Sequence, residues 1–332
     1  MSAPGPHRAS LPTGAPRLAD PGLARVAILL PCYNEAATIQ KVVEDFRRVL
    51  PHAEIHVFDN NSSDGTADVA TRAGAHVTLS PLQGKGNVVR HMFDVVDADW
   101  YIMADGDDTY PATEAPRLLE TAVKSAADMV VGIRLDRFTT KSFRRFHKFG
   151  NRLISGLISK LFGVKVTDAL SGYRVFSRSY VRGVPITSAG FQIETELTLH
   201  AITKKFVFLE TPIEYGERPE GSHSKLNTYR DGMLIVSTIA LLFKDYKPLP
   251  FFSAVAAVFV AFSLLAGSLP IIEYYQTGLV PHFPRAILAA SLALCGLVSL
   301  AIGIILDTSN KYFREHYELH RKVLQSLRKD DR

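Results

Sequence analysis

Val26-Ala27-Ile28-Leu29-Leu30-Pro31-Cys32-Tyr33-Asn34-Glu35 is the stretch that decides the fold. Its apolar residues run without alternation until Pro31 stops them. Such a run is a strand covered on both faces, as in a parallel sheet between helices. Ile39, Val42, Val43, Phe46, Val49 and Leu50 then recur at helical spacing. The alternation continues outward. Strands are expected at 55–58, 76–79, 100–104 and 129–133, and helices at 64–72, from 86 to 96 and at 113–125. The fold class is therefore α/β, a Rossmann-like, mostly parallel sheet with helices on both faces. Ligands of such sheets bind at the carboxyl ends of the strands. Polar clusters fall there: Tyr33-Asn34-Glu35, then Asp59, then Asp105 and Asp107.

The flanks differ from this core. Residues 1–24 carry five prolines and three glycines with no apolar run, which predicts a flexible tail and not a secretory signal. Phe251 to Ile272 and Ala286 to Leu306 hold no charged residue, and each is long enough to cross a bilayer as a helix. The expected organisation is a tail (1–24), the α/β domain (25–228), an interfacial amphipathic helix (229–249), a two-helix transmembrane hairpin (250–310) and a basic tail (311–332). Arg134 to Lys165 holds nine Lys/Arg and one acid, interleaved with large apolar residues. That pattern suits a membrane surface, and its apolar stripe has no use on nucleic acid. The net charge of +5 is read the same way. Basic residues also follow the second span. The α/β domain and the tail are both expected in the cytoplasm, on a multi-pass protein of the inner membrane. Cys32 and Cys295 are two isolated apolar fillers, which excludes a disulfide framework or a cysteine metal cluster.

The clusters suggest chemistry. Asp105-Gly106-Asp107 places two carboxylates together, and two such acids repel unless a cation sits between them. Hard carboxylate ligands suit Mg2+ or Mn2+ shared with substrate phosphates. Lys85 stands between Gly84 and Gly86 before a helix, where backbone N–H groups could approach an anion. The spacing is not that of a P-loop, and no dinucleotide Gly-x-Gly-x-x-Gly follows the first strand. His316 and His320 lack the acid of a zinc-protease helix.

Taken together and in order, these motifs resemble the family 2 glycosyltransferases of GT-A fold. The carriers are residues 31–35, Asp59-Asn60-Asn61-Ser62-Ser63-Asp64-Gly65-Thr66, Gly84-Lys85-Gly86 and Asp105-Gly106-Asp107. Asp168 to Arg174, Phe191 to Glu194 and Arg218 to Lys225 resemble the polyprenyl-phosphate branch, which includes dolichol-phosphate mannose synthase and undecaprenyl-phosphate glucosyltransferases. The resemblance implies that Pro31, Tyr33, Glu35 and Asp59 hold the nucleoside of a UDP- or GDP-linked sugar. It implies that Lys85 faces the diphosphate and that Asp105 and Asp107 hold Mg2+ or Mn2+. Arg134 and Arg174 would grip phosphate oxygens, and Lys225, Ser222 and Ser224 would close over a phosphate. Asp168, Glu194 and Glu196 are further polar candidates, with Glu194 grouped with Asp107, Arg174 and Lys225 as catalytic. Asn60-Asn61 and Thr109 depart from the commoner residues of the family.

The implied reaction is inverting transfer of a sugar to a polyprenyl phosphate at the cytoplasmic face. A lipid phosphate is largely a dianion at neutral pH, so no general base is assigned. The partners are then the nucleotide sugar, the lipid phosphate and the membrane, with self-association a further candidate. The alternatives are a polysaccharide-type synthase with a hydroxyl acceptor and an inactive membrane scaffold. The Gln-x-x-Arg-Trp of the synthases is absent, since Asp99 precedes the single Trp100.

Overall fold

The computed structural model describes residues 24–134, 143–190, 192–216, 237, 240–241 and 243–330, without side-chain detail at 143–149, 317–318 and 320–330. The expected tail up to residue 23, the Arg218–Lys225 motif and most of the 229–243 segment lie outside the described residues. Two compact units divide at residue 228.

The first unit is built on a seven-stranded sheet in the order β3-β2-β1-β4-β6-β5-β7. The strands are β1 (Val26–Cys32), β2 (Glu54–Asp59), β3 (His76–Leu79), β4 (Trp100–Met103), β5 (Met129–Arg134), β6 (Arg174–Ser177) and β7 (Phe208–Ile213). The helices are α1 (Ile39–Val49), α2 (Thr66–Arg72), α3 (Lys85–Val95), α4 (Ala115–Lys124), α5 (Phe143–Phe162), α6 (Arg178–Gly183) and α7 (Ile193–Thr203). The β1 run explains itself. Ile28, Leu30 and Cys32 enter the core on the α1 side, while Ala27 and Leu29 enter the core on the α3 side. Both faces are covered, so both sets of alternate positions are apolar.

The sheet is mostly parallel, as expected, but β6 runs antiparallel to both β4 and β5. Neither β6 nor β7 is legible as a strand from the sequence. β6 has only four residues, and β7 carries Pro212. A proline is tolerated there because β7 is the edge of the sheet. Pro31 sits in central β1, but β4 pairs with β1 only as far as Leu29, so Pro31 has no ladder neighbour on that side. The chain crosses from β3 over to β4, and the crevice at the carboxyl ends of β1 and β4 is the switch point where ligands bind in such sheets.

In the second unit, α8 (Pro248–Thr277) and α9 (Phe283–Asp330) pack against each other. Small residues make the close approach: a Cβ at Gly296 would lie 3.3 Å from the Ala256 carbonyl, and Ser263 donates to the Ala289 carbonyl at 2.7 Å. Both helices are long and apolar enough to cross a membrane. Their outward faces are bare, Leu264 and Leu265 each being 69% exposed, which a water-soluble helical hairpin would not sustain. The helix does not stop where its apolar run ends: α9 continues unbroken through the basic segment to Asp330.

Candidate active site

The loops after β1 and β2 are knitted into one wall. Asn34 takes a positive φ of 54°, donates its backbone N–H to Ser62 Oγ at 2.8 Å and accepts from the Ser63 N–H. Glu35 N–H donates to Thr66 Oγ1, and Ala36 N–H to Asp64. Tyr33 and Glu35 are thereby fixed beside Asp59, which ends β2 and is only 3% exposed. Asp59 Oδ2 accepts from the Ser62 N–H, while Oδ1 is buried with no hydrogen-bond partner among the described residues. An orphaned carboxylate oxygen is costly, and a ligand N–H is the simplest way to satisfy it. The two departures at 60–61 have physical reasons. Asn61 holds a φ of 63°, a conformation that suits glycine and that asparagine tolerates. Asn60 is buried and staples the next loop: its Nδ2 donates to the Ser80 and Leu82 carbonyls, and its Oδ1 accepts from the Gly84 N–H.

The Gly84-Lys85-Gly86 turn does not do what the sequence suggests. Its glycines, read from the sequence, offer backbone N–H groups to an anion. Instead the Gly86 and Asn87 N–H groups point at the Ala189 carbonyl. A Cβ on Gly84 would collide with that carbonyl, and one on Gly86 with the carbonyl of Ser188. The glycines admit the 188–189 backbone, not a phosphate. That docking brings α7 alongside Lys85. The Lys85 ammonium lies 2.5 Å from Asp105 Oδ1 and 2.6 Å from Glu194 Oε1. Burial alone would lower its pKa, but Asp105 and Glu194 outweigh burial and raise it.

The Asp105-Gly106-Asp107 turn follows β4. Thr38 Oγ1 donates to the Gly106 carbonyl at 2.7 Å, and a Cβ on Gly106 would lie 2.5 Å from Cys32 Sγ, so only glycine fits there. Buried Asp107 accepts from the N–H and hydroxyl of Thr109. Asp108 holds a φ of 58° and pairs with Lys41. No set of three or more His, Cys, Asp or Glu converges on a point among the described residues. Two carboxylates nevertheless fit Mg2+ or Mn2+, ions that take their remaining ligands from water and substrate phosphate.

The 168–174 segment reaches the same turn. A Cβ at Gly172 would lie 2.9 Å from Asp105 Oδ2, and the Gly172 N–H donates to Tyr110. Arg134, at the end of β5, forks onto Asp168 through Nε and Nη2 at 2.8 and 2.9 Å and stacks on Tyr215. Asn151 also donates to Asp168. Asp168 therefore orients Arg134, which stays partly exposed and available to a phosphate. Arg174 requires a correction. It is 0% exposed, and its guanidinium donates to the Ser171 and Ala169 carbonyls and to Thr198 Oγ1. It braces the 169–171 loop from inside and does not face the crevice.

Glu196 is likewise structural. It accepts from the N–H and hydroxyl of Thr187 and from the Ser188 N–H, and so holds the strap on which Gly84 and Gly86 rest. Burial opposes its ionisation, but His200 and these donors win and bring its pKa down to about 2. Its stabilising contribution is therefore present above about pH 4.3, the unfolded value, and is lost as the pH falls toward 2. Glu196→Gln is expected to lower the thermal midpoint of the detergent-solubilised chain near pH 7. That deficit should shrink steadily between pH 5 and 2; a deficit independent of pH would contradict the assignment.

Lys85, Asp105 and Glu194 are thus in contact and Arg134 pairs with Asp168; Pro31, Tyr33 and Glu35 lie at the end of β1 and in the loop after it, Asp59 ends β2 and Asp107 lies in the turn after β4, while Lys225, Ser222 and Ser224 lie outside the described residues. The sequence reading missed Thr38, Tyr110, Asn151 and the 187–189 strap, whose roles depend on tertiary contacts.

Residues 27–184 match the family described as Glycosyl transferase family 2. Glycosyltransferase AglJ of Haloferax volcanii is 33% identical over 291 residues, covering 87% of this chain and 95% of that protein. A dolichyl-phosphate hexose transferase of the same organism is 28% identical over 214 residues, 64% of this chain and 92% of its own. The fold is similar to glucosyl-3-phosphoglycerate synthase of Mycobacterium tuberculosis, solved with Mn2+, uridine diphosphate and glucosyl-3-phosphoglycerate. That match has a TM-score of 0.54 at 21% identity and covers 67% of this chain and 79% of the other.

Proposed function

The chain belongs to glycosyl transferase family 2, and on that premise we propose that it moves a sugar from a nucleoside diphosphate to a polyprenyl phosphate at a membrane surface. The relative that acts as a dolichyl-phosphate hexose transferase supports this substrate class. In the proposed mechanism the open Oδ1 of Asp59 accepts the ring N–H of uracil or guanine, so either base fits. Asp105 and Asp107 would hold Mg2+ or Mn2+, in keeping with the Mn2+ and uridine diphosphate bound by the structural neighbour. The ion would neutralise the leaving diphosphate. Arg134, fixed by Asp168, presents a guanidinium to the acceptor phosphate. Ser222, Ser224 and Lys225 remain proposed phosphate contacts.

The observation that carries the acceptor assignment is the state of the two glutamates. Glu194 is tied to the Lys85 ammonium, and Glu196 to Thr187 and Ser188. A hydroxyl acceptor needs a base to take its proton. A lipid phosphate, with a second pKa near about 6, arrives ionised and needs only positioning and charge neutralisation. The two apolar helices support a place in a membrane. We read the basic excess of 134–165 and of the segment after 310 as support for a catalytic unit on the cytoplasmic side of a multi-pass protein. On α5, Arg152, Leu153 and Lys160 are exposed, as a surface resting on anionic headgroups would have them.

The test is to incubate membranes bearing the full chain with a panel of labelled UDP- and GDP-sugars. One donor should pass label to the organic phase, and a chelator should abolish the transfer. Label that reaches no lipid with any donor contradicts the proposal.

A further inference from the structure

We propose that Lys85 is the resident counter-cation of the metal-binding carboxylates, so that a divalent ion gains Asp105 only when a donor diphosphate takes over the Lys85 ammonium. This rests on the reading that Asp105 and Asp107 hold a divalent ion. The ammonium sits between Asp105 and Glu194 at 2.5 and 2.6 Å, and both Lys85 and Glu194 are largely shielded from water. Asp105 and Glu194 both pair with the ammonium, and Lys85 supplies the positive charge that lets their carboxylates stand together.

The position is not accidental. Lys85 is the first residue of α3, and the backbone around it is pinned by the Ala189 carbonyl and by the bond from the Gly84 N–H to Asn60. Glu194 lies in the first turn of α7 and pairs with the same ammonium. An ammonium and a divalent ion bound to one carboxylate oxygen would stand within about 5 Å of each other and repel strongly in a shielded crevice. The metal alone therefore competes with Lys85. A diphosphate relieves the conflict, because it offers Lys85 a new anion while Glu194 keeps the side chain anchored. Metal and donor then favour each other's binding, reciprocally. Glu194 is in this account a positioning residue and takes no proton.

The experiment measures free Mn2+ by electron paramagnetic resonance as the purified full-length protein is titrated, without any donor. Wild type should bind weakly. Lys85→Gln should bind at least tenfold more tightly, and Lys85→Arg, which keeps the charge, should stay weak. Because Lys85→Gln leaves Glu194 buried without its cation, the double variant Lys85→Gln/Glu194→Gln removes both and should still bind Mn2+ several-fold more tightly than wild type. Neutral variants that bind Mn2+ no more tightly than wild type overturn the proposal, as does Lys85→Arg binding as tightly as Lys85→Gln. Wild type titrated with uridine or guanosine diphosphate present separates the two layers. Failure to bind Mn2+ even then strikes the metal site itself, whereas tight binding there with no effect of the neutral variants strikes only the role of Lys85.

Discussion

Asp107→Asn lowers the rate of sugar transfer by about 10³-fold or more while the protein stays folded. The fold survives because an amide oxygen can still accept from the Thr109 N–H and hydroxyl that hold Asp107 in place. The rate does not survive, because a neutral amide is a poor ligand for a hard divalent ion and the diphosphate leaves without its counter-charge. A thousandfold corresponds to about 4 kcal/mol of lost transition-state stabilisation, at about 1.4 kcal/mol per tenfold. The check is the initial rate at matched protein level and saturating metal, beside a thermal melt. A variant within tenfold of wild type removes Asp107 from the metal site.

Arg174→Ala acts on the fold. The side chain is fully buried, and its removal leaves the Ala169 and Ser171 carbonyls and the Thr198 hydroxyl without their donor, beside a cavity. The expected cost is about 3 to 5 kcal/mol, from buried acceptors left unsatisfied at about 1 to 3 kcal/mol each together with the cavity. In a unit of this size that is a fall of roughly 6 °C or more in the melting midpoint. Molecules that remain folded should keep donor affinity close to wild type. A variant with unchanged melting and a collapsed rate would return Arg174 to the phosphate-binding role its sequence motif suggests.

The contrast between these two residues shows what the sequence could carry. Both are charged, and both sit in motifs of the family. Asp107 follows a strand whose apolar run is legible, and the end of such a strand is where ligands gather, so its place follows from pattern alone. Arg174 opens a four-residue antiparallel strand that no periodicity announces, and its burial comes from α7 and the 169–171 loop closing over it. The Gly84-Lys85-Gly86 turn departs from its sequence pattern for the same reason. A sequence shows that glycine is present, but whether the missing Cβ makes room for an anion or for the Ser188 and Ala189 backbone is a tertiary fact. The parallel half of the sheet, β1 to β4, was legible because both of its faces are covered and the apolar runs are unbroken. The 60–61 pair was legible as a departure, and its reason appears only with the positive φ of Asn61 and the three bonds of Asn60.

The acceptor decides the account. The most direct measurement supplies the purified enzyme with its labelled donor and divalent ion, and offers a polyprenyl phosphate or the corresponding polyprenol in parallel. Label should move only to the phosphate, and the rate should fall below about pH 6 as that phosphate takes up a proton, in wild type and in Glu194→Gln alike. Transfer to the polyprenol, with an acid limb that vanishes in the Glu194→Gln variant, would make Glu194 a general base and the acceptor a hydroxyl.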